Sequence, residues 1–180
     1  MHARRRLVSL GICLLLVAAV AAQRKRDPLT PPEIDQLRDT ALEPEQRLKL
    51  YVKFARARLA SLEEKRNDPK TANRGQQTHD GLEDFLAVYD ELNDNIDMYV
   101  DRKDDIRKPL KGVIEADTEF QAKLRALNNA AGATPEETKQ YQFVLSNAIE
   151  TLDNSAEDHR KLMGEQEEAA KHKKKAAPQR

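Results

Sequence analysis

The sequence predicts an all-α fold, an elongated antiparallel helical bundle with coiled-coil-like packing. It should contain three long helices, four if the chain reverses near Pro109, and a short N-terminal helix before them. Three observations carry that expectation. Of the 180 residues 34% are charged and 4% aromatic, with no Trp and six Gly, a composition that favours long solvated helices over sheets or a large compact core. Prolines fall where helices begin, the position at which a missing N–H costs least. A 3,4-spaced seam then runs through Leu82, Phe85, Tyr89, Leu92, Ile96, Tyr99, Lys103, Ile106, Leu110, Val113, Asp117, Phe120, Leu124 and Leu127, and only Lys103 and Asp117 interrupt its apolar character.

Residues 1–22 read as a secretory signal peptide, with Arg4, Arg5 and Arg6 ahead of an apolar stretch from Leu7 to Val20 and then the small Ala21 and Ala22. The stretch is short against the roughly 20 residues that span a bilayer, so cleavage and an extracytoplasmic location, periplasmic or secreted, are expected; only an uncleaved segment would hold the chain at a membrane. Cys13 is the single cysteine and leaves with that segment, so neither a disulfide nor thiol chemistry is expected afterwards. Residues 23–30 form a basic linker. The box Thr30-Pro31-Pro32-Glu33 opens a short helix over 31–41, with Leu29 packing on Ile34. Pro44, behind Glu43, opens a second helix that ends near 66, and a turn-rich link over 67–75 ends at Gly75. Thr134-Pro135-Glu136-Glu137 repeats the box and opens a last helix to about 172. The bundle domain therefore covers 31–172, and 173–180 form a basic, disordered tail.

Pro109 decides the number of long helices. Arg107 and Lys108 before it cannot cap an N-terminus, and no Gly precedes it to end a helix. The unbroken seam is accordingly read as one kinked helix over roughly 77–130, despite the ~3 kcal/mol cost of an interior Pro; a hairpin at 107–109 is the alternative. Matching stripes stand on the second helix (Leu48, Tyr51, Val52, Ala55, Leu59, Leu62) and on the last (Tyr141, Leu145, Ala148, Leu152, Ser155, His159, Leu162). Short links make sequential helices antiparallel.

Opposite the seam, the outward positions are Asp80, Glu83, Ala87, Asp90, Asp94, Asp97, Asp101 and Asp104. Seven carboxylates in one row repel one another by a few tenths of a kcal/mol per pair. The row reads first as a solvated face and second as a docking face for a basic partner or the protein's own tail. A metal site is disfavoured, because Asn93-Asp94-Asn95-Ile96-Asp97 lacks the glycine of a calcium loop and a straight helix offers a line rather than a cage; divalent-cation binding along the row is the weakest of the readings kept. The basic run Lys171, Lys173, Lys174, Lys175 could meet an anionic partner by charge alone, although cations are also favourable at a helix C-terminus without any partner. Without residues 1–22 the chain carries 28 basic against 31 acidic residues, and residues 23–170 carry 23 against 31: an acidic body with a basic tail.

No signature of catalysis emerges. Glu-x-x-His and His-Glu-x-x-His are absent, Ser61, Ser146 and Ser155 fall inside helices where a nucleophile lacks an exposing turn, and His159 on the seam is read as a packed histidine. No enzyme, cofactor, metal ligand or specific nucleic-acid contact is expected. The expected function is that of a non-enzymatic helical protein acting through protein–protein contacts, as an adaptor, envelope component or oligomerising coiled coil. Leu29-Thr30-Pro31-Pro32-Glu33 and Leu42-Glu43-Pro44-Glu45-Gln46 faintly resemble the Leu-Thr-x-x-Gln repeats of periplasmic Spy-like chaperones, the first without the Gln and the second without the Thr. A capping box accounts for both, so no membership follows; a holdase is the alternative function that the resemblance implies.

Overall fold

The computed structural model describes residues 27–130 and 132–176, with side chains up to 172, so the signal-peptide reading and the end of the tail lie outside the described residues. The described residues form five helices and no strand: α1 Pro31–Asp39, α2 Pro44–Asn67, α3 Arg74–Asp101, α4 Arg107–Asn128 and α5 Pro135–Ala176. None is long and apolar enough to cross a membrane.

The single kinked helix over 77–130 is not what forms. The chain breaks after Asp101 and reverses, giving four long helices. Lys103 takes the left-handed conformation with φ 61°; its N–H donates to the Val100 carbonyl at 2.8 Å, and the Asp104 N–H donates to the Tyr99 carbonyl at 3.0 Å. These two bonds make a Schellman stop, the motif in which glycine usually stands. A lysine fills that place here, which is why the absence of glycine misled. Pro109 is the third residue of α4, where its missing N–H would have had no intrahelical partner in any case. The stop at Lys103 falls six residues before the proline, not at it.

At the other end of α3, the link is shorter than expected. Gly75 belongs to the helix, where a Cβ would come within 3.0 Å of the Glu137 carbonyl and 2.4 Å of Gln140 Oε1 on α5. The glycine permits a close helix crossing rather than ending a turn. The last helix extends to Ala176, so the backbone of positions 173–176 is helical rather than tail.

Around the bundle the order is α2, α3, α5, α4. α2 runs antiparallel to α3, with Arg47 bonded to Asn95 and Arg66 to Thr78, and parallel to α4, with Arg56 paired to Glu119 and Lys123 to Glu63. α5 runs parallel to α3, with Arg74 on Glu137 and Asn93 on Ser155, and antiparallel to α4, with Gln121 on Asp153 and the Ile106 N–H on Gln166. The backbones that approach closely are those four pairs and α1 with α2. Consecutive helices α3 and α4 therefore face each other across the diagonal, a gap filled by side chains. Phe85 stacks on Tyr89 at 5.7 Å between centroids and meets Phe120 edge-on at 5.5 Å. All seam residues from Leu82 to Tyr99 are buried, as are those from Ile106 to Leu124 on the other side of the break.

Both predicted boxes operate, the Thr30 box with both of its interactions and the Thr134 box through its hydroxyl. Glu33 accepts from the Thr30 N–H at 2.8 Å and from its hydroxyl at 3.0 Å, while the Thr134 hydroxyl accepts from the Glu137 N–H at 3.2 Å. The two box glutamates are then claimed by arginines of other helices: Arg58 of α2 reaches both Glu33 and the Pro28 carbonyl, and Arg74 grips Glu137 through two bonds. Burial pushes the Glu33 carboxyl up, but the Arg58 and Thr30 hydrogen bonds outweigh it and leave it below the usual carboxylate range.

Two outcomes follow. Lys103→Gly should raise unfolding stability by about 1 kcal/mol, the cost of a left-handed non-glycine residue, read as a higher denaturation midpoint at unchanged m. Glu33→Gln should cost about 2 kcal/mol at neutral pH. Because the folded-state carboxyl is depressed, that difference should be constant above about pH 5 and shrink as the pH falls through the folded value below 4.5.

Candidate docking face

Seven carboxylates form the predicted row on α3 and its C-terminal turn, and the fold divides them. Asp80 and Glu83 at the N-terminal end stand beside His79, whose Nδ1 lies 3.5 Å from Asp80 and 3.8 Å from Glu83. Asp104, at the other end, is half-buried in the reversal and lies 3.3 Å from Arg102 Nε. Asp90, Asp94, Asp97 and Asp101 between them are exposed. Among the described residues, Asp94, Asp97 and Asp101 have no ion-pair partner.

That middle contrasts with the acids elsewhere. Glu33, Glu45, Glu63, Glu119, Glu137 and Asp153 each pair with a cation on another helix. The last turn of α3 also holds no basic residue, so Asp97 and Asp101 sit at the negative end of the helix dipole, where carboxylates are unfavourable. Among the described residues, no cation compensates Asp94, Asp97 or Asp101.

Grooves flank this ridge. On one side, a groove of about 710 Å³ separates Asp90, Glu91 and Asp94 from Asp27 and Pro28 at the start of the described chain. On the other, a groove of about 410 Å³ runs between α3 and α5. Ile96, Val100 and Leu162 supply apolar surface there, Asp97, Asp158 and Glu165 carboxylates, and Lys161 the one lysine. The second charged feature is less coherent: Lys171 is held by Glu168 at 2.6 Å within its own helix, and positions 173 to 175 lie on helical backbone whose side chains fall outside the described residues.

His159 also borders the α3–α5 groove, 4% exposed. Its Nδ1 meets Asp117 Oδ2 at 2.9 Å, and the Tyr89 hydroxyl donates to Asp117 Oδ1 at 2.7 Å. Burial, and then the charge of Asp117, holds the Tyr89 hydroxyl far above its ordinary range, so Tyr89 remains a donor. An acid that orients a histidine is half of a nucleophile-activating arrangement. The nearby Ser155 hydroxyl, however, accepts from Asn93 at 3.0 Å and sits mid-helix, without the sharp turn that exposes a nucleophile. The link joins α3, α4 and α5, and its geometry is that of a packed polar tie.

Sequence reasoning placed Asp117 and His159 on their seams but did not pair them, since the pairing depends on the reversal at Lys103. It also left His79 without a role; its placement four residues before Glu83 was the available signal.

The chain matches no protein-family model, no curated protein and no solved structure.

Asp117→Ala should cost about 3–5 kcal/mol, because it strands both partners in the core, whereas Tyr89→Phe should cost about 1 kcal/mol. Urea unfolding of the two variants checks the ordering; equal losses would mean that the carboxylate is not the shared partner.

Proposed function

We propose that this is an exported, non-enzymatic helical-bundle protein that works by contact, presenting the acidic face of α3 to a basic protein partner. The observation that carries this reading is the unpaired middle of the row, Asp94, Asp97 and Asp101, exposed among the described residues on a fold that pairs so many of its other acids. Like charges kept at i,i+3 and i,i+4 cost their own helix stability, and a partner's cations would compensate them. Export rests on the residue 1–22 pattern; the seam, buried within the chain's own bundle, supplies the scaffold rather than the contact.

The test replaces Asp90, Asp94, Asp97 and Asp101 with Asn. The variant should be more stable than the wild type by about 1 kcal/mol, from the relieved repulsions and the better fit to the helix dipole. It should also fail to retain, from envelope extract, a protein that the wild type retains at low salt and releases at high salt. Equal retention by both would overturn the reading.

A second reading, a holdase, draws on the α3–α5 groove with its apolar surface and acidic margin, and on Phe143 and Leu42, each 88% exposed. It requires suppression of client aggregation near stoichiometric ratio, and no suppression would remove it.

A further inference from the structure

We propose that the groove between α3 and α5 takes an arginine side chain of a protein partner, with His159 at its floor and Asp97, Asp158 and Glu165 at its margin. This rests on the contact reading of the acidic face and names the side chain that the contact would recognise. The groove holds about 410 Å³, the size of a small-ligand cleft. Ile96, Val100 and Leu162 form its apolar walls, and Lys161 is the lysine that faces the three carboxylates. Among the described residues, Asp97, Asp158, Glu165 and Lys161 have no ion-pair partner, so three negative charges stand against one positive charge around an apolar slot.

The floor offers acceptors that want a donor. His159 is 4% exposed, and its Nδ1 is turned to Asp117 at 2.9 Å. A neutral imidazole that donates one nitrogen to a carboxylate presents the other as a lone pair. Among the described residues, His159 Nε2 has no hydrogen-bond partner. On the α3 side of the same groove, Asn93 Nδ2 donates to Ser155 at 3.0 Å, while Asn93 Oδ1 is shielded from solvent and has no donor. A shielded acceptor without a donor is costly, and an incoming N–H would relieve that cost.

The complementary ligand is therefore a cation with an apolar stem and several donors. An arginine side chain meets all three requirements: methylenes to lie along the walls, N–H groups that reach acceptors in different directions, and a fixed positive charge. A lysine offers a compact, strongly hydrated ammonium, which gives up more water on entering an apolar slot. An acidic peptide would meet carboxylates and acceptors alone and be repelled.

The probe is the blocked tripeptide acetyl-Gly-Arg-Gly-amide, titrated at millimolar concentrations and low salt into the whole chain, with NMR on the His159 ring nitrogens and the Asn93 side-chain amide. Both signals should shift saturably. The citrulline analogue, which keeps the shape without the charge, should bind about tenfold more weakly. Asp158→Asn, at an exposed position outside the α3 row, should weaken binding about threefold, and Lys161→Gln should tighten it by a similar factor. Asp90→Asn should leave it unchanged, since Asp90 does not border this groove. The proposal is overturned if the arginine peptide gives no saturable shift, if the citrulline or lysine counterpart binds as tightly, or if Asp158→Asn and Lys161→Gln both bind as the wild type does. None of these results bears on retention of a basic protein by the acidic face as a whole, so the two readings fail separately.

Discussion

A carboxylate with no exposure to solvent must find its hydrogen bonds inside the protein, and Asp117 finds them on two other helices. Tyr89 reaches it from α3 and His159 from α5, with Asp117 itself on α4. The backbones of α3 and α4 never approach closely, so the diagonal between them must be spanned by side chains. Phe85 and Phe120 fill the space and the Tyr89–Asp117 bond fixes its register. An apolar residue at 117 would fill volume equally well, but it would not distinguish this alignment from one shifted by a helical turn. Buried polar groups are best attested in that registering role.

Periodicity made most of this bundle legible. The seam, the starts of α1, α2 and α5 and the burial of facing stripes follow from spacing and capping chemistry, because those signals are local. The reversal between α3 and α4 was not legible, and the reason is physical. Both arms of a hairpin turn the same stripe toward the core, so the pattern stays in phase through Lys103 even though the direction changes. The two polar interruptions of the seam turn out to be its most informative members. Lys103 is the stop, and Asp117 is the tie.

Charge is distributed by a similar logic. Arginines from neighbouring helices claim Glu33 and Glu137, so the residues that cap α1 and α5 also fasten those helices to the bundle. Such pairs are partly shielded and geometrically good, unlike the exposed pairs that contribute little to stability. Among the described residues, Asp94, Asp97 and Asp101 receive none of this. Of the candidate face, its position and sign were readable from the heptad, whereas its division into a His79-flanked end, an open middle and a half-buried end needed the fold.

The diagonal arrangement makes the molecule two helical hairpins, α2 with α3 and α4 with α5, joined covalently through the five residues 102–106. Because the seam keeps phase through that joint, straightening it would leave every apolar residue correctly faced while sending the second hairpin away from the first. Two copies that opened in this way could each complete the other's core. The left-handed lysine is thus a strained point in that joint, and the conformational preference of one residue would weigh a closed single chain against exchange of halves between chains.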